Sequence, residues 1–289
     1  MAEETGVALK NVIGIDHAVI MAKDLDKAAE RWKRLGFTVS PRGTHSAHMG
    51  TGNYTIMLDP DYLELLGVLT PTELNAPARA FLDQREGIER IAFTAVDAAE
   101  GAEEIRARGY PPIGPTDFER PVTMPDGTLS AAKFRTFQWP FAEAPGGARL
   151  FACQHKTRET VWIPELMKHA NAAKRLKQVL LAAPDPVPEA AHLSRMIDRE
   201  VRTEADGAVT VPSGGDRADF VFLTKEQLSR RYPDVPINLP DRGAAGLVIV
   251  SADLAATEKA LGAAGVRSGN SICVPPSSSN GTLLAFVNA

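Results

Sequence analysis

Four stretches of this 289-residue chain repeat one order of elements, and that order limits the fold more than any other feature. The first stretch is the clearest. "IDHAVIMA" (15–22) is rich in strand formers, and Asp24 or Asp26 can cap a helix after it. Ala29, Trp32 and Leu35 share one helical stripe before Gly36 stops it. "FTVSP" reads as a further strand. "GNYTIMLD" (52–59) and "DYLELLGV" (61–68) follow as two strand-like runs either side of a turn signal. The order is β-α-β-β-β. It returns from "IERIAFTAVD" (88–97) through the helical "AAEGAEEIRARG" (98–109) to "AAKFRTFQW" (131–139) and "ARLFACQH" (148–155). A third, worn copy starts at "KQVLLAAPDP" (177–186) and continues through "EAAHLSRMIDREV" (189–201), "AVTVPS" and "ADFVFLT" (218–224). The fourth runs from "AGLVIVSADLAATEKALGAAGV" (245–266) to "GTLLAFVN" (281–288). The first strand of every copy ends in an aspartate: Asp24, Asp97, Asp185 and Asp253.

A unit of this size cannot bury its own sheet, so copies must pair. Modules 12–72 and 86–158 make one pair within residues 12–160. Residues 161–176 connect it, through a helix or irregular chain, to a second, degenerate pair at 177–289. The expected class is α+β, built from βαβββ modules, with mixed, curved sheets and helices outside. Composition then narrows the setting. The net charge of −4 is mild and no basic patch emerges, which argues against nucleic acid. No apolar run approaches the roughly 18 residues of a membrane span. The acidic opening "MAEETGVALK" lacks a signal-peptide core, and two cysteines, Cys153 and Cys273, cannot frame a disulfide network. A cytoplasmic protein with buried thiols is expected, as monomer or homodimer.

The module order, with His17 on the first strand and "YLELLGV" on the last, resembles the vicinal oxygen chelate superfamily. "IDHAVIMAKDLDKAAERWKRLGFTV", "GTGNYTIML", "YLELLGV", "FACQH" and "HANAAKRLKQVLLAAPDP" are similar to successive blocks of its glyoxalase-like domain family. The resemblance implies a cup between two paired modules that holds a divalent metal (Fe, Mn, Zn or Ni) and a small oxygen-chelating substrate. It implies ligands at His17 and Glu64. The matching positions of the second module are Arg90 and Phe151, a departure from the four-ligand pattern of glyoxalase I. His155, four residues beyond Phe151, projects from the same strand face, so His17, Glu64 and His155 form a two-histidine, one-carboxylate set.

Two functions stay open. One is a metal-dependent lyase, isomerase or dioxygenase in which Glu64 moves a proton and Arg90 holds a negative oxygen. The other is a metal-free protein that binds or sequesters a small compound in the same cup, with Arg90 paired to Glu64. His48, Asn53, Tyr110, Arg120, Phe134 and Phe151 are candidate substrate contacts. The proline-rich segment 110–130 reads as a long loop that walls the cup, although a turn explains Asp126-Gly127 equally well. For each residue a bland role competes: a satisfied core histidine at His17, an exposed loop at His48, ordinary core packing at Phe134 and Phe151.

Overall fold

The computed structural model describes residues 9–288. The first half runs β1 (Val12–Met21), α1 (Leu25–Arg34), β2 (Gly43–Thr44), β3 (Thr51–Met57), β4 (Tyr62–Val68), then a linking helix α2 (Ala76–Gln84). It continues with β5 (Gly87–Ala95), α3 (Ala98–Ala107), β6 (Ile113–Thr123), β7 (Leu129–Gln138) and β8 (Arg149–His155). The second half repeats the plan: β9 (Ala173–Ala182), α4 (Pro186–Ile197), β10 (Arg202–Thr203), β11 (Val209–Pro212), β12 (Asp219–Leu223) and the linking helix α5 (Lys225–Arg231). It closes with β13 (Gly243–Ser251), α6 (Leu254–Leu261), β14 (Val266–Ser268), β15 (Ser271–Val274) and β16 (Leu283–Asn288).

Each half is one eight-stranded sheet, ordered β2-β3-β4-β1-β5-β8-β7-β6 and β10-β11-β12-β9-β13-β16-β15-β14. Within a module the first and last strands pair in parallel, which requires the helical crossover; between modules β1 meets β5, and β9 meets β13, antiparallel. The repeated aspartates explain where three of the four crossovers begin. Asp24, Asp97 and Asp253 accept backbone N–H groups at the helix starts, whereas Asp185 makes no such bond and Pro186 opens α4 instead.

Both sheets curl into cups. In the first, the edge strands approach each other so closely that a Cβ placed on Gly43 of β2 would lie 3.3 Å from Arg120 Cδ of β6. Helices α1, α3, α4 and α6 lie outside the cups, and the two convex sides share one core containing Ile15, Trp32, Phe93, Phe220 and Phe286. Phe93 and Phe220 meet at 5.6 Å across it, and Trp32 Nε1 donates to Asn280 Oδ1 at 3.1 Å. The loop of residues 213–217 grips β1. Ser213 Oγ accepts from Ile15 N at 3.0 Å, and Arg217 donates to the carbonyls of Ile15 and Pro60. A Cβ on Gly14 would lie 2.3 Å from Gly214 O, so only glycine permits this approach.

Three local expectations change. "FTVSP" is not a strand: Thr38 N donates to His169 Nδ1 and its hydroxyl to the Lys168 carbonyl, both in the connector, and the backbone reaches the sheet only through Ser40 N, at Thr55 O. Segment 110–130 is not a loop but β6 and its turn into β7; Pro115 and Pro121 are tolerated because β6 is an edge strand. Asp126 is a turn residue, accepting from Thr128 N at 2.9 Å. A short 3₁₀ turn, Arg158–Thr160, precedes the connector, a second, Pro164–Met167, lies within it, and β9 begins at Ala173.

Candidate active site in the first cup

Neighbours on a regular strand point to opposite faces, so Asp16 and His17 should not share one. A bulge brings them together. Ile15 stands opposite Phe93 of β5 and His17 opposite Ala92, which leaves Asp16 as the extra residue. Asp16 is fully buried and takes three donors: His17 Nδ1 at 2.7 Å and His155 Nε2 at 2.8 Å on Oδ1, and Thr94 Oγ1 at 2.8 Å on Oδ2. Burial alone would raise its pKa. The charge and hydrogen bonds of His155, then those of His17, outweigh burial and hold the carboxyl far below the usual range. With Asp16 ionised, His17 presents Nδ1–H to it and keeps Nε2 for the cup, 3.4 Å from the Tyr62 hydroxyl and 3.7 Å from Glu64 Oε2. Glu64 is steadied in turn by Asn53 Nδ2, at 2.6 Å from Oε1.

The second module echoes this arrangement with altered chemistry. Val19 stands opposite Arg90 and Ile20 opposite Ile88, so Glu89 is the bulged residue of β5. Glu89 binds Arg90 Nε at 2.5 Å and also Arg149 Nε. Burial raises the Glu89 carboxyl, but the two guanidinium groups prevail and lower it. Arg90 therefore spends its hydrogen bond on Glu89 rather than on Glu64, from which β1 separates it. An acid followed by a histidine in one module faces an acid followed by an arginine in the other.

Aromatic rings wall the cup. Tyr62 stacks on His17 with centroids 4.2 Å apart, and Phe151 meets His17 edge-on at 5.3 Å. Phe134 meets His155 edge-on at 5.2 Å and stacks on Phe118. Trp162 closes one end against Tyr62 and His155. At the other end α2 packs Ala78 and Leu82 on Val19, Met21 and Leu66. Arg120 of β6 lies beside Gly43 of β2, close enough to Tyr62 and Glu64 to interact with them electrostatically. Of the two histidines in the glycine-rich segment, His45 lies at the mouth, facing Phe118 and bonded to Thr51 Oγ1 at 2.8 Å; burial lowers its pKa. His48 is exposed in the turn before β3, away from these groups. Tyr110 is on the convex side, its ring against His192 of α4. The structure thus gathers His17, Glu64, Asn53, Arg120, Phe134, Phe151 and His155, with Arg90 at the rim. Asp16, the hub of the site, is not a residue that strand alternation would select.

The donor set bears on a metal. Among the described residues, Asp16, His17 and His155 are a cluster whose ligand atoms lie within 4.8 Å of one another. The carboxylate oxygen is, however, at hydrogen-bond distance from both rings, while two donors around one ion stand roughly 3 Å or more apart. His17 Nε2 and Glu64 Oε2 are the two donors left facing the cup. The remaining family positions carry an arginine and a phenylalanine, so the residues present do not fit a four-ligand centre.

The doubled βαβββ pairs and their polar first cup define a protein of the vicinal oxygen chelate fold. A family model described as "Glyoxalase-like domain" matches residues 15–197, more than half of the chain, and the protein belongs to that family. Its structure is similar to a hypothetical protein from Staphylococcus aureus, with a TM-score of 0.69 and 12% identity over 95% of this chain and 99% of that one. Methylmalonyl-CoA epimerase from Mycobacterium tuberculosis is a more distant likeness, with a TM-score of 0.39 and 20% identity over 53% of this chain and 93% of that one. The Streptomyces coelicolor epimerase in complex with 2-nitronate-propionyl-CoA gives 0.38 and 20% over 50% and 99%. No curated protein matches the sequence. Among the described residues, no helix is long and apolar enough to cross a membrane.

Proposed function

We propose that the first cup is the active site of an enzyme that moves a proton on a small, oxygen-bearing anion, with His17 as the base. One observation carries this reading: Asp16, clamped by His155 and Thr94, fixes His17 so that Nε2 alone faces the cup. A carboxylate–imidazole pair of this kind orients the ring and stabilises its protonated form after it takes a proton. Glu64, 3.7 Å from Nε2, is placed to relay that proton or return it. Arg90 brings positive charge to the cup for a developing oxyanion. Arg90 at the second-module ligand position supports doing this without a four-ligand metal. Two buried free cysteines accord with a reducing, cytoplasmic setting.

A second reading, a cup that only binds and sequesters, is favoured by the tight aromatic walls. Proton exchange separates the two. In D₂O, a panel of small 2-oxo acids beginning with pyruvate is followed by proton NMR for loss of the C–H signal beside the carbonyl. The expected result is exchange accelerated by the protein and reduced roughly 10²–10⁴-fold in His17→Gln. Binding without exchange moves the conclusion to sequestration. Elemental analysis of protein purified without chelator is the companion measurement; stoichiometric metal, lost in both His17→Ala and Glu64→Ala, would restore a metal-dependent lyase, isomerase or dioxygenase.

A further inference from the structure

Arg120 poses a question that proton transfer does not answer. Its guanidinium lies half-buried over the mouth of the cup, yet it has no hydrogen bond or ion pair with any described residue. Nearby cations fare differently: Arg90 and Arg149 both hold Glu89, and Arg135 holds Asp117 through two bonds. A guanidinium withdrawn from water without an acceptor is costly, and its planar fork matches a carboxylate. The backbone beneath it is shaped to receive it. On Gly43 a Cβ would lie 3.3 Å from Arg120 Cδ, 3.4 Å from its Nη1 and 2.3 Å from Asn53 Oδ1. Glycine at 43 therefore leaves room above all for Asn53, with the Arg120 side chain packed beside it. One carboxylate, Glu89, serves two guanidinium groups, whereas Arg120 has only a through-space attraction to Glu64 and no hydrogen bond to it.

Beneath Arg120 the surfaces are rings. Phe118 comes from the same strand, two residues away, and stacks on Phe134 at 4.9 Å; Phe151, Tyr62 and Trp162 continue the wall. Open clefts of about 540 and 450 Å³ lie elsewhere on the molecule and share none of these residues. Tyr62 and Phe134 are buried and Phe118 and Phe151 partly so, a close aromatic lining that suits one compact group as occupant. We infer that the ligand of this cup is a small aromatic carboxylate, its carboxylate taken by Arg120 at the mouth and its ring set among Phe118, Phe134 and Phe151. The inference rests on the first cup being the functional site, but it concerns recognition and stands or falls apart from proton transfer.

Trp162 supplies the reporter, since Trp32 and Trp139 are sealed in the core while Trp162 borders the cup. Titration of the full chain with benzoate, benzamide, cyclohexanecarboxylate and acetate, read by tryptophan fluorescence and by calorimetry, tests ring and charge separately. Benzoate is expected to saturate. Benzamide and acetate should bind at least roughly tenfold more weakly, and cyclohexanecarboxylate several-fold more weakly. Arg120→Gln should cost roughly tenfold or more for benzoate and little for benzamide; Arg120→Lys should recover part of it. Thermal melts of both variants at the wild-type value establish that the hairpin is intact. Equal affinity for benzoate and benzamide, or an unchanged benzoate affinity in Arg120→Gln, overturns the inference. If no benzoate binds while a 2-oxo acid still exchanges its proton, the aromatic carboxylate is wrong and the proton-transfer reading survives. If benzoate binds and nothing exchanges, the reverse holds.

Discussion

The two sheets follow one strand order, yet their concave faces hold opposite contents. The first cup is stoppered only at its ends, by α2 and by the Trp162 segment, and keeps His17, Glu64 and Asn53 between them. In the second, Leu228 of α5 and the following Tyr232, Val235 and Leu239 pack on Leu180, Val221, Val248, Cys273 and Ala285. There these side chains cover the floor of the cup, and the open cleft of about 450 Å³ that remains beside Gln178, Val248 and Asn270 is lined without a histidine or cysteine. Where Asp16 and His17 stand in β1, β9 offers Lys177 and Gln178, and no cluster of metal-ligating side chains was found there among the described residues. The comparison teaches that strand order alone does not make a site. A bulge must turn an acid toward its neighbour, and the linking helix must cover no more than one end of the cup.

The sharpest way to break the comparison is within the first cup, between its two bulged acids. Asp16→Asn should lower proton exchange by about 10²–10⁴, because the amide no longer enforces one tautomer of His17. Glu89→Gln, the counterpart that only gathers arginines, should lower it less than about tenfold. Equal losses measured by NMR exchange would erase the distinction between the modules.

Next in size is the buried acid where the halves meet. Asp61 accepts Leu176 N at 2.9 Å, and burial pushes its carboxyl up to about 7 from 3.8, against the weaker lowering by that N–H and by Arg217. A raised native pKa means the folded chain prefers the proton. Its contribution is complete below about pH 3.8 and is lost as pH rises toward about 7, to an upper bound of about 4 kcal/mol. Burial lowers His45 and His169, which acts in the opposite direction. The test is therefore the stability difference between Asp61→Asn and wild type in urea at pH 5 and pH 8. That difference should shift in favour of the variant at the higher pH.

The plug of the second cup comes third. Leu228→Ala removes a fully buried side chain and should destabilise the protein by about 2–5 kcal/mol in urea unfolding while leaving ligand titrations of the first cup unchanged. The smallest effect separates the repeated aspartates. Asp253→Ala loses two backbone acceptances at α6 and should cost about 1 kcal/mol; Asp185→Ala, which removes no cap bond, should cost less. Thermal melts of the pair read the difference.

Much of this architecture is legible in the chain. Strand formers ending in Asp24, Asp97 and Asp253, followed by helical stripes, carry the module count because capping and amphipathicity are local properties. His17 and Glu64 fall together because strand register follows from the repeat, and His155 reaches the same site by simple alternation from Phe151. What alternation hides is Asp16: a bulge is set by the partner strand, and no residue type in "GIDHAV" announces it. Arg90 illustrates another limit. Its choice of Glu89 over Glu64 depends on a second bulge and on the strand that intervenes. The segment 110–130 misleads because prolines read as loop, although an edge strand has outward N–H groups to spare.

The grip of Ser213 and Arg217 on the backbone at Ile15 has a practical outcome. A fragment ending at residue 197, where the family match stops, keeps every side chain named in the first cup yet discards the brace beside the bulge. Such a fragment also loses the part of the shared core that Phe220 and Phe286 supply, so the Asp16–His17 geometry should drift; the second half serves as the jig in which the first half's chemistry is held.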